Sequence, residues 1–174
     1  ICNFPRSKRF VEINTLKNLT NINKKNTKFV AVLVNPSEDI LEKIKNLNFD
    51  YYQIYDCTPK EIKYIKDKYN KKIITAITVE NKIDLLKYKD FLPFSDIILF
   101  DSKGYEKSKS FDHGLLDDIP HNFKKMIAGN IKIDDIFKFK GKKYIIDVSG
   151  GLEDIVGEKN KDKIDKFLLE VNKL

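Results

Sequence analysis

Arginine is nearly absent from this 174-residue chain, although the net charge is +7. Arg6 and Arg9 are the only arginines, and lysine supplies the rest of the positive charge. Surfaces that read nucleic-acid bases usually use arginine, because its side chain forms two parallel hydrogen bonds. The lysines also alternate with Asp and Glu in segments such as KEIKYIKDKYNKK. This pattern is typical of solvated helix faces and argues against a nucleic-acid partner.

Cysteine and long apolar runs are scarce as well. Cys2 and Cys57 are the only cysteines, which excludes a disulfide framework and a cysteine zinc site. We interpret both as reduced thiols and expect no metal. No apolar stretch is long enough to cross a membrane, and no signal peptide is recognised. The sequence thus predicts a cytoplasmic protein without a membrane partner.

The chain does contain a regular alternation of two patterns. Short apolar runs rich in β-branched residues predict strands, and amphipathic runs predict the helices between them. The predicted strands are residues 29–34, 51–55, 72–77, 96–100, 125–128 and 144–148, and residues 1–4 resemble the end of another. The predicted helices begin near Pro36 and Thr58 or cover residues 81–88, 133–139 and 161–173.

One helix start carries an explicit local signal. Thr58 is the expected N-cap, Pro59 occupies the first turn, and Glu61 completes a capping box. We therefore expect a helix to begin at this point whatever the surrounding fold.

The strict alternation of strand and helix predicts an α/β fold with a parallel sheet. Strands that are apolar throughout are expected to be buried on both faces. The pattern fits either a doubly wound sheet or a (β/α)8 barrel, and we expect residues 1–174 to form a single domain. In both architectures the functional site lies beyond the carboxyl ends of the strands.

Several residues at the predicted strand ends are candidates for chemistry. Asp101 ends an otherwise apolar strand, ILFD. A partly desolvated carboxylate can act there as a general acid, or it can cap the next turn.

The loops Gly129-Asn130 and Ser149-Gly150-Gly151 follow the last two strands. Small residues let backbone N–H groups approach an anion, so we expect a phosphate there, although tight turns alone would also use glycine.

Two further side chains each have two interpretations. Arg9 can hold a carboxylate with two parallel N–H bonds, or it can form a surface ion pair. Asp147, at the end of the last predicted strand, can bind sugar hydroxyls or cap the turn that follows.

Seven segments, in this order, are similar to motifs of the phosphoribosylanthranilate isomerase family, which has a (β/α)8 barrel. They are FPRSKRFV, FVAVLVNPSEDI, YYQIYD, ILFDSK with SFDHGLL, MIAGNIKIDDI, IIDVSGGLED and VGEKNKDKI. The resemblance extends over nearly the whole chain.

The resemblance implies an isomerase of tryptophan biosynthesis. Its substrate, N-(5-phosphoribosyl)anthranilate, becomes 1-(2-carboxyphenylamino)-1-deoxyribulose 5-phosphate in an Amadori rearrangement that needs acid–base catalysis and no cofactor or metal. By this resemblance Asp101 is the general acid and Arg9 holds the anthranilate carboxylate. Gln53 lines the pocket, Asp147 lies near the sugar, and the two glycine-containing loops hold the phosphate. The implied partner is this small molecule, and the implied state is a monomer or a homodimer.

The sequence also departs from the family pattern. The family's general base is a cysteine in a Lys-Ile-Cys-Gly motif on the first strand, which this chain lacks. Neither Cys2 nor Cys57 lies at an equivalent position. We therefore expect a barrel truncated at its N-terminus, without the first strand–helix unit and the start of the second strand, and inactive alone. The other departures are Tyr55-Asp56 for His-Gly, residues 105–108 for a glycine-rich stretch, His113 for Trp and Asn130 for Gly.

Two other functions stay open at this point. One is a non-catalytic relative of the same barrel family that binds a phosphosugar or anthranilate, which would suit the missing cysteine motif. The other is a different phosphate-binding barrel enzyme of histidine or tryptophan synthesis. An Arg9 that binds a carboxylate would favour the anthranilate substrate over this second alternative.

Overall fold

The computed structural model describes residues 2–102 and 111–174. The α-helices are α1 (Ile13–Thr20), α2 (Glu38–Ile44), α3 (Pro59–Tyr69), α4 (Lys82–Leu86), α5 (Tyr88–Phe91) and α6 (Lys161–Val171). The strands are β1 (Val30–Val34), β2 (Tyr51–Tyr55), β3 (Lys72–Val79), β4 (Ile97–Ser102), β5 (Lys125–Ile127), β6 (Tyr144–Ile146), β7 (Glu153–Ile155) and β8 (Glu158–Lys159). Short 3₁₀ helices cover Leu92–Phe94, His113–Asp118, Ile133–Phe139 and Gly150–Leu152.

Strands β1 to β6 form one six-stranded sheet in chain order. The pairs β1–β2, β2–β3 and β5–β6 are parallel. All six predicted strands are present, and their ends lie within two residues of the expected positions. The predicted α/β class with a parallel sheet is therefore confirmed. Strands β7 and β8 form a separate antiparallel pair that the sequence did not predict.

The chain divides into two compact units. The first contains Ile1–Ala76 and Lys87–Ile98, and the second contains Ile77–Leu86 and Leu99–Leu174. In the first unit, one apolar cluster joins the buried faces of α1, α2 and α3 to β1, β2 and the start of β3. Fully burying each leucine or isoleucine of such a cluster contributes about 1.5–3 kcal/mol. This cluster is what holds the helices on the sheet.

Two aspartates accept hydrogen bonds from backbone N–H groups at the beginnings of strands in the first unit. Asp50, just before β2, accepts hydrogen bonds from the Phe29 N–H and from Lys24 Nζ, both at 2.8 Å. Asp96, just before β4, accepts the Ile73 N–H at 2.8 Å. Each carboxylate satisfies a backbone donor at the start of the neighbouring strand.

The start of α3 matches the local prediction. The Thr58 side chain accepts the Glu61 N–H, and the Glu61 carboxylate accepts the Thr58 N–H at 2.7 Å. Pro59 is the first helical residue, as expected. The capping box is therefore confirmed.

The chain before α1 differs from its prediction. Residues 2–4 are not assigned to a strand, and Ile1 lies outside the described residues. Cys2 still donates its N–H to Val32 O at 2.9 Å, and the Asn3 side chain bonds both the N–H and the carbonyl of Val34. This segment thus runs along β1 and contacts it through one backbone hydrogen bond and the Asn3 side chain.

A second difference lies in the second unit, where residues 133–139 form a 3₁₀ helix. Its buried residues are Ile136 and Phe139. Residues three apart lie on one face of a 3₁₀ helix, which has three residues per turn. Burial of this pair is compatible with the 3₁₀ form, which replaces the helix type that the sequence suggested. No helix in residues 2–102 and 111–174 is long and apolar enough to cross a membrane.

Candidate active site

Three successive strand ends lie side by side in the second unit. The Ala128 N–H donates to Phe100 O at 2.9 Å, which joins the end of β5 to the end of β4. The Asp147 N–H donates to Ile127 O at 2.8 Å, which joins the end of β6 to the end of β5. Asp101, half-buried within β4, thus lies on the same edge as Asp147 and both glycine-containing loops.

The loop after β5 lies directly against the end of β4. Gly129 has a φ of +100°, and a Cβ atom there would lie 2.7 Å from Ser102 Oγ. Only glycine fits such a position without displacing its neighbour. Asn130 follows with a φ of +52°, which asparagine tolerates better than most residues. Gly129 is buried and Asn130 is exposed, so the loop turns outward immediately after the strand.

The loop after β6 packs on the loop after β5. A Cβ atom at Gly151 would lie 2.9 Å from Ile131 O and 3.1 Å from Val148 Cγ1. Ser149, Gly150 and Gly151 are all exposed. The two loops that the sequence selected are thus neighbours, and the second presents its backbone to solvent.

His113 fixes the strand end that precedes Gly129. Its Nε2 atom lies 3.0 Å from Ala128 O, and because a carbonyl can only accept, Nε2 carries the hydrogen. Phe111 and Phe139 contact the imidazole edge-on, with ring centroids 4.6 Å and 5.6 Å away. The imidazole therefore connects the 3₁₀ helix that it begins to the end of β5.

In the first unit, Arg9 belongs to a segment of two consecutive turns. The Ser7 N–H donates to Phe4 O at 2.9 Å, and the Phe10 N–H donates to Ser7 O at 3.0 Å. The Arg9 N–H in turn donates to Ser7 Oγ at 3.1 Å. Arg9 is half-buried, whereas Arg6 is exposed. The turns therefore give the two arginines different environments.

Gln53 is the other predicted residue in the first unit. It lies in the middle of β2, is only 7% exposed and donates from Nε2 to Tyr55 Oη at 3.2 Å. Residues two apart on a strand share a face, so this pair lies on one side of β2. Asp56, which follows the strand directly, has a φ of +57°.

The two thiols lie in surroundings that suppress their ionisation. Burial raises the pKa of Cys2, against the lowering effects of the N-terminal charge and the Val32 hydrogen bond. Burial also raises the pKa of Cys57 to about 12, with further contributions from the charges of Glu61 and Asp56. A thiol must lose its proton before it can accept one, so neither residue is suited to act as a base near pH 7.

No metal centre is apparent in the described part of the chain. Across residues 2–102 and 111–174, His, Cys, Asp and Glu nowhere form a group of three or more that could hold an ion. Residues 105–108, which depart from the family pattern, lie outside the described residues.

Three residues near the strand ends were not predicted as site residues. They are Ser102 below Gly129, His113 against Ala128, and Lys159, whose Nζ lies 2.9 Å from Ser149 O. His113 and Lys159 occur in segments that carry the family resemblance. Nothing in the local sequence indicates their contacts, since each partner lies at least ten residues away.

Comparison with known proteins gives one consistent result. The family model for N-(5'phosphoribosyl)anthranilate (PRA) isomerase matches residues 1–170. The N-(5'-phosphoribosyl)anthranilate isomerase of Campylobacter jejuni is 36% identical over 176 residues, covering 98% of this chain and 85% of that protein.

Solved structures show the same fold. The phosphoribosyl anthranilate isomerase of Thermotoga maritima aligns with a TM-score of 0.86 and 22% identity, covering 98% of this chain and 85% of that one. A structure of the isomerase with reduced 1-(o-carboxyphenylamino)-1-deoxyribulose 5-phosphate aligns with a TM-score of 0.84, over 98% of this chain and 84% of that one. The parallel sheet, the three adjacent strand ends and the match over residues 1–170 agree, and the chain belongs to the N-(5'-phosphoribosyl)anthranilate isomerase family.

Proposed function

We propose that the chain serves the isomerisation of N-(5'-phosphoribosyl)anthranilate to 1-(2-carboxyphenylamino)-1-deoxyribulose 5-phosphate. The family match over residues 1–170 is the observation that carries this proposal. The position of Asp101 on the same edge as two adjacent glycine-containing loops supports it. The proposal includes a (β/α)8 barrel for the sheet, a cytoplasmic location, and a monomeric or homodimeric state.

Asp101 is the general acid of the proposed mechanism. It protonates the ring oxygen of the phosphoribosyl group, and the furanose opens to an imine. A base then removes the proton from C2′, and the resulting enolamine tautomerises to the ketone. A half-buried carboxyl group near the end of an apolar strand lies where it can reach a substrate beyond the sheet edge.

The remaining residues bind the two charged ends of the substrate. Arg9 binds the anthranilate carboxylate, because a guanidinium offers two parallel donors to one carboxylate. The loops Gly129-Asn130 and Ser149-Gly150-Gly151 bind the phosphate, since glycine allows an anion to approach backbone N–H groups. Asp147 binds sugar hydroxyls, and Gln53 lines the pocket.

Within residues 2–102 and 111–174, neither thiol is suited to remove the C2′ proton. The chain contains no Lys-Ile-Cys-Gly motif, and burial raises the pKa of both of its thiols. We therefore propose that this chain by itself binds the substrate and does not remove the C2′ proton at an enzymatic rate. A non-catalytic phosphosugar-binding relative is the second candidate.

The first test is binding of reduced 1-(o-carboxyphenylamino)-1-deoxyribulose 5-phosphate to the purified chain, measured by titration calorimetry. Saturable 1:1 binding is expected, and its absence would overturn the proposed function. The second test follows disappearance of phosphoribosylanthranilate over time. Conversion at a normal enzymatic rate would show that a residue of this chain serves as the base.

The Asp101→Asn variant separates the isomerase from the non-catalytic relative. If Asp101 is the acid, the variant keeps its affinity for the reduced product within a few-fold and loses any residual conversion that the unmodified chain shows. The control is Asp118→Asn, because Asp118 is an exposed partner of Lys82 at 2.9 Å. Equal residual rates in both variants would favour the non-catalytic relative.

A further inference from the structure

Lys159 contacts the first residue of the second glycine-containing loop, Ser149-Gly150-Gly151. Its Nζ atom donates to Ser149 O at 2.9 Å and to Ser149 Oγ at 3.1 Å. The same ammonium lies 2.5 Å from Glu153 Oε1, and the Glu153 side chain is only 4% exposed. One lysine thus joins a buried carboxylate to the first residue of the Ser149-Gly150-Gly151 loop.

The hairpin of β7 and β8 determines where Lys159 lies. Glu153 and Lys159 are paired residues of the two strands. The next residue, Asn160, donates its N–H to Leu152 O at 2.8 Å, and its side chain caps α6 by accepting the Lys163 N–H at 3.0 Å. Lys159 is therefore held on both sides, by strand pairing and by the start of a helix.

The hydrogen bonds of Ser149 determine where its hydroxyl hydrogen points. An ammonium has three donors and no acceptor, so Ser149 Oγ is the acceptor toward Lys159. The hydroxyl hydrogen consequently points away from Lys159. The Ser149 carbonyl, which also accepts the Leu152 N–H at 3.1 Å, faces the ammonium.

We propose that Lys159 is a positioning residue for phosphate binding, acting through Ser149. The ammonium orients the Ser149 carbonyl inward and its hydroxyl outward, and Glu153 keeps the ammonium in place. The ligand is the phosphate group of the phosphoribosyl substrate, so this inference rests on the proposed function. It assigns to Lys159 and Glu153 a part in binding without direct contact to the ligand.

Lys163 is a matched control for Lys159. It also contacts Glu153, donating to the backbone carbonyl at 2.8 Å, and it pairs with Asp154 at 2.6 Å. Its side chain is 39% exposed, compared with 41% for Lys159. Lys163 has no contact with Ser149 among the hydrogen bonds of the described residues. The two lysines therefore differ mainly in the contact to be tested.

The experiment measures binding of the reduced product, of inorganic phosphate and of anthranilate by calorimetry, using Lys159→Gln and Lys163→Gln in the full chain. Lys159→Gln should weaken binding of the reduced product and of phosphate about tenfold, the usual effect of losing a hydrogen bond to a charged group. Binding of anthranilate, which has no phosphate, should stay within twofold. Lys163→Gln should leave all three affinities within twofold.

Ser149→Ala provides a second route if Lys159→Gln folds poorly. This variant keeps the ion pair of Lys159 with Glu153 and removes only the hydroxyl group. It should weaken phosphate binding as much as Lys159→Gln does, and the double variant should be little worse than either, because residues that act through one contact are not additive. Lys159→Arg should recover part of the affinity.

The outcomes separate this inference from the proposed function. If the unmodified chain binds none of the phosphate compounds, the proposed function fails, and the role of Lys159 fails with it. If the unmodified chain binds them and Lys159→Gln matches Lys163→Gln, only the role of Lys159 is overturned. Equal losses for anthranilate and phosphate, or additive losses in the double variant, would show a general structural role and would also overturn the inference.

Discussion

A Cβ atom at Gly129 would lie 2.7 Å from Ser102 Oγ, so the loop after β5 rests on the end of β4 with no space for a side chain. Ser102 directly follows Asp101, and its buried Oγ has no hydrogen-bond partner within the part of the chain that the structure describes. The loop proposed to bind phosphate therefore packs tightly against Ser102, the residue after the proposed acid. This contact can be tested separately from function.

Gly129→Ala should lower the free energy of unfolding by about 2–3 kcal/mol, because it combines a positive φ with a steric clash. Gly141→Ala is the control, since Gly141 has a φ of +75° and a Cβ atom there would meet nothing within 4 Å. The control should cost about 1–2 kcal/mol, the penalty of a left-handed backbone alone. Urea unfolding measures both, and equal losses would show that the contact with Ser102 has no energetic effect.

Arg9→Lys should weaken binding of the reduced product about tenfold, because lysine keeps the charge and loses the two parallel donors. Arg6→Lys is the natural control, as Arg6 is exposed whereas Arg9 is half-buried. Titration calorimetry on both variants gives the comparison. Equal affinity in the two variants would contradict the assignment of the carboxylate to Arg9.

Asp50 should make the stability of the first unit depend on pH. The Lys24 hydrogen bond, followed by the Phe29 N–H and the charge of Lys28, lowers the pKa of Asp50 to about 2 although burial opposes the shift. The unfolded chain has a pKa of about 3.9 for this group, so the stabilisation is complete above about pH 5 and is lost as the pH falls through 2.

Asp50→Asn should therefore cost about 1–2 kcal/mol at pH 7, allowing for screening by solvent. Its deficit against the unmodified chain should shrink by about half at pH 3. Asp67→Asn, which removes an exposed pair with Lys63, should cost less than about 0.5 kcal/mol. Urea unfolding at both pH values measures the difference, and a deficit at pH 3 as large as at pH 7 would contradict the shift.

Cys57 should react slowly with a disulfide reagent in the folded protein. Burial raises its pKa to about 12, so the thiolate at pH 8 is scarce, and the rate should be at least about 100-fold below that of free cysteine. The rate should rise about tenfold per pH unit between pH 8 and 10. The Cys57→Ser variant keeps only Cys2, so the difference in reaction rate between the two proteins belongs to Cys57. Rapid reaction of Cys57 at pH 7 would restore it as a candidate base.

The sequence alone was sufficient wherever the determining interactions are local. The capping box of α3 needs only Thr58, Pro59 and Glu61, which lie within one helical turn. The six strands were recognised because each is a short, largely apolar run, and their pairing in chain order follows from the helices between them. The same periodicity brought Asp101, Asp147 and both loops to one edge of the sheet.

Tertiary structure decided what depends on residues distant in sequence. Residues 133–139 form a 3₁₀ helix with Ile136 and Phe139 buried, and the sequence does not reveal this choice of helix type. The raised pKa of Cys57 comes from burial first, and Lys159 reaches Ser149 only because a hairpin reverses the chain between them. Burial and chain reversal are set by packing across the fold, whereas a cap or an apolar run acts over a few residues, so only the latter can be read from the chain itself.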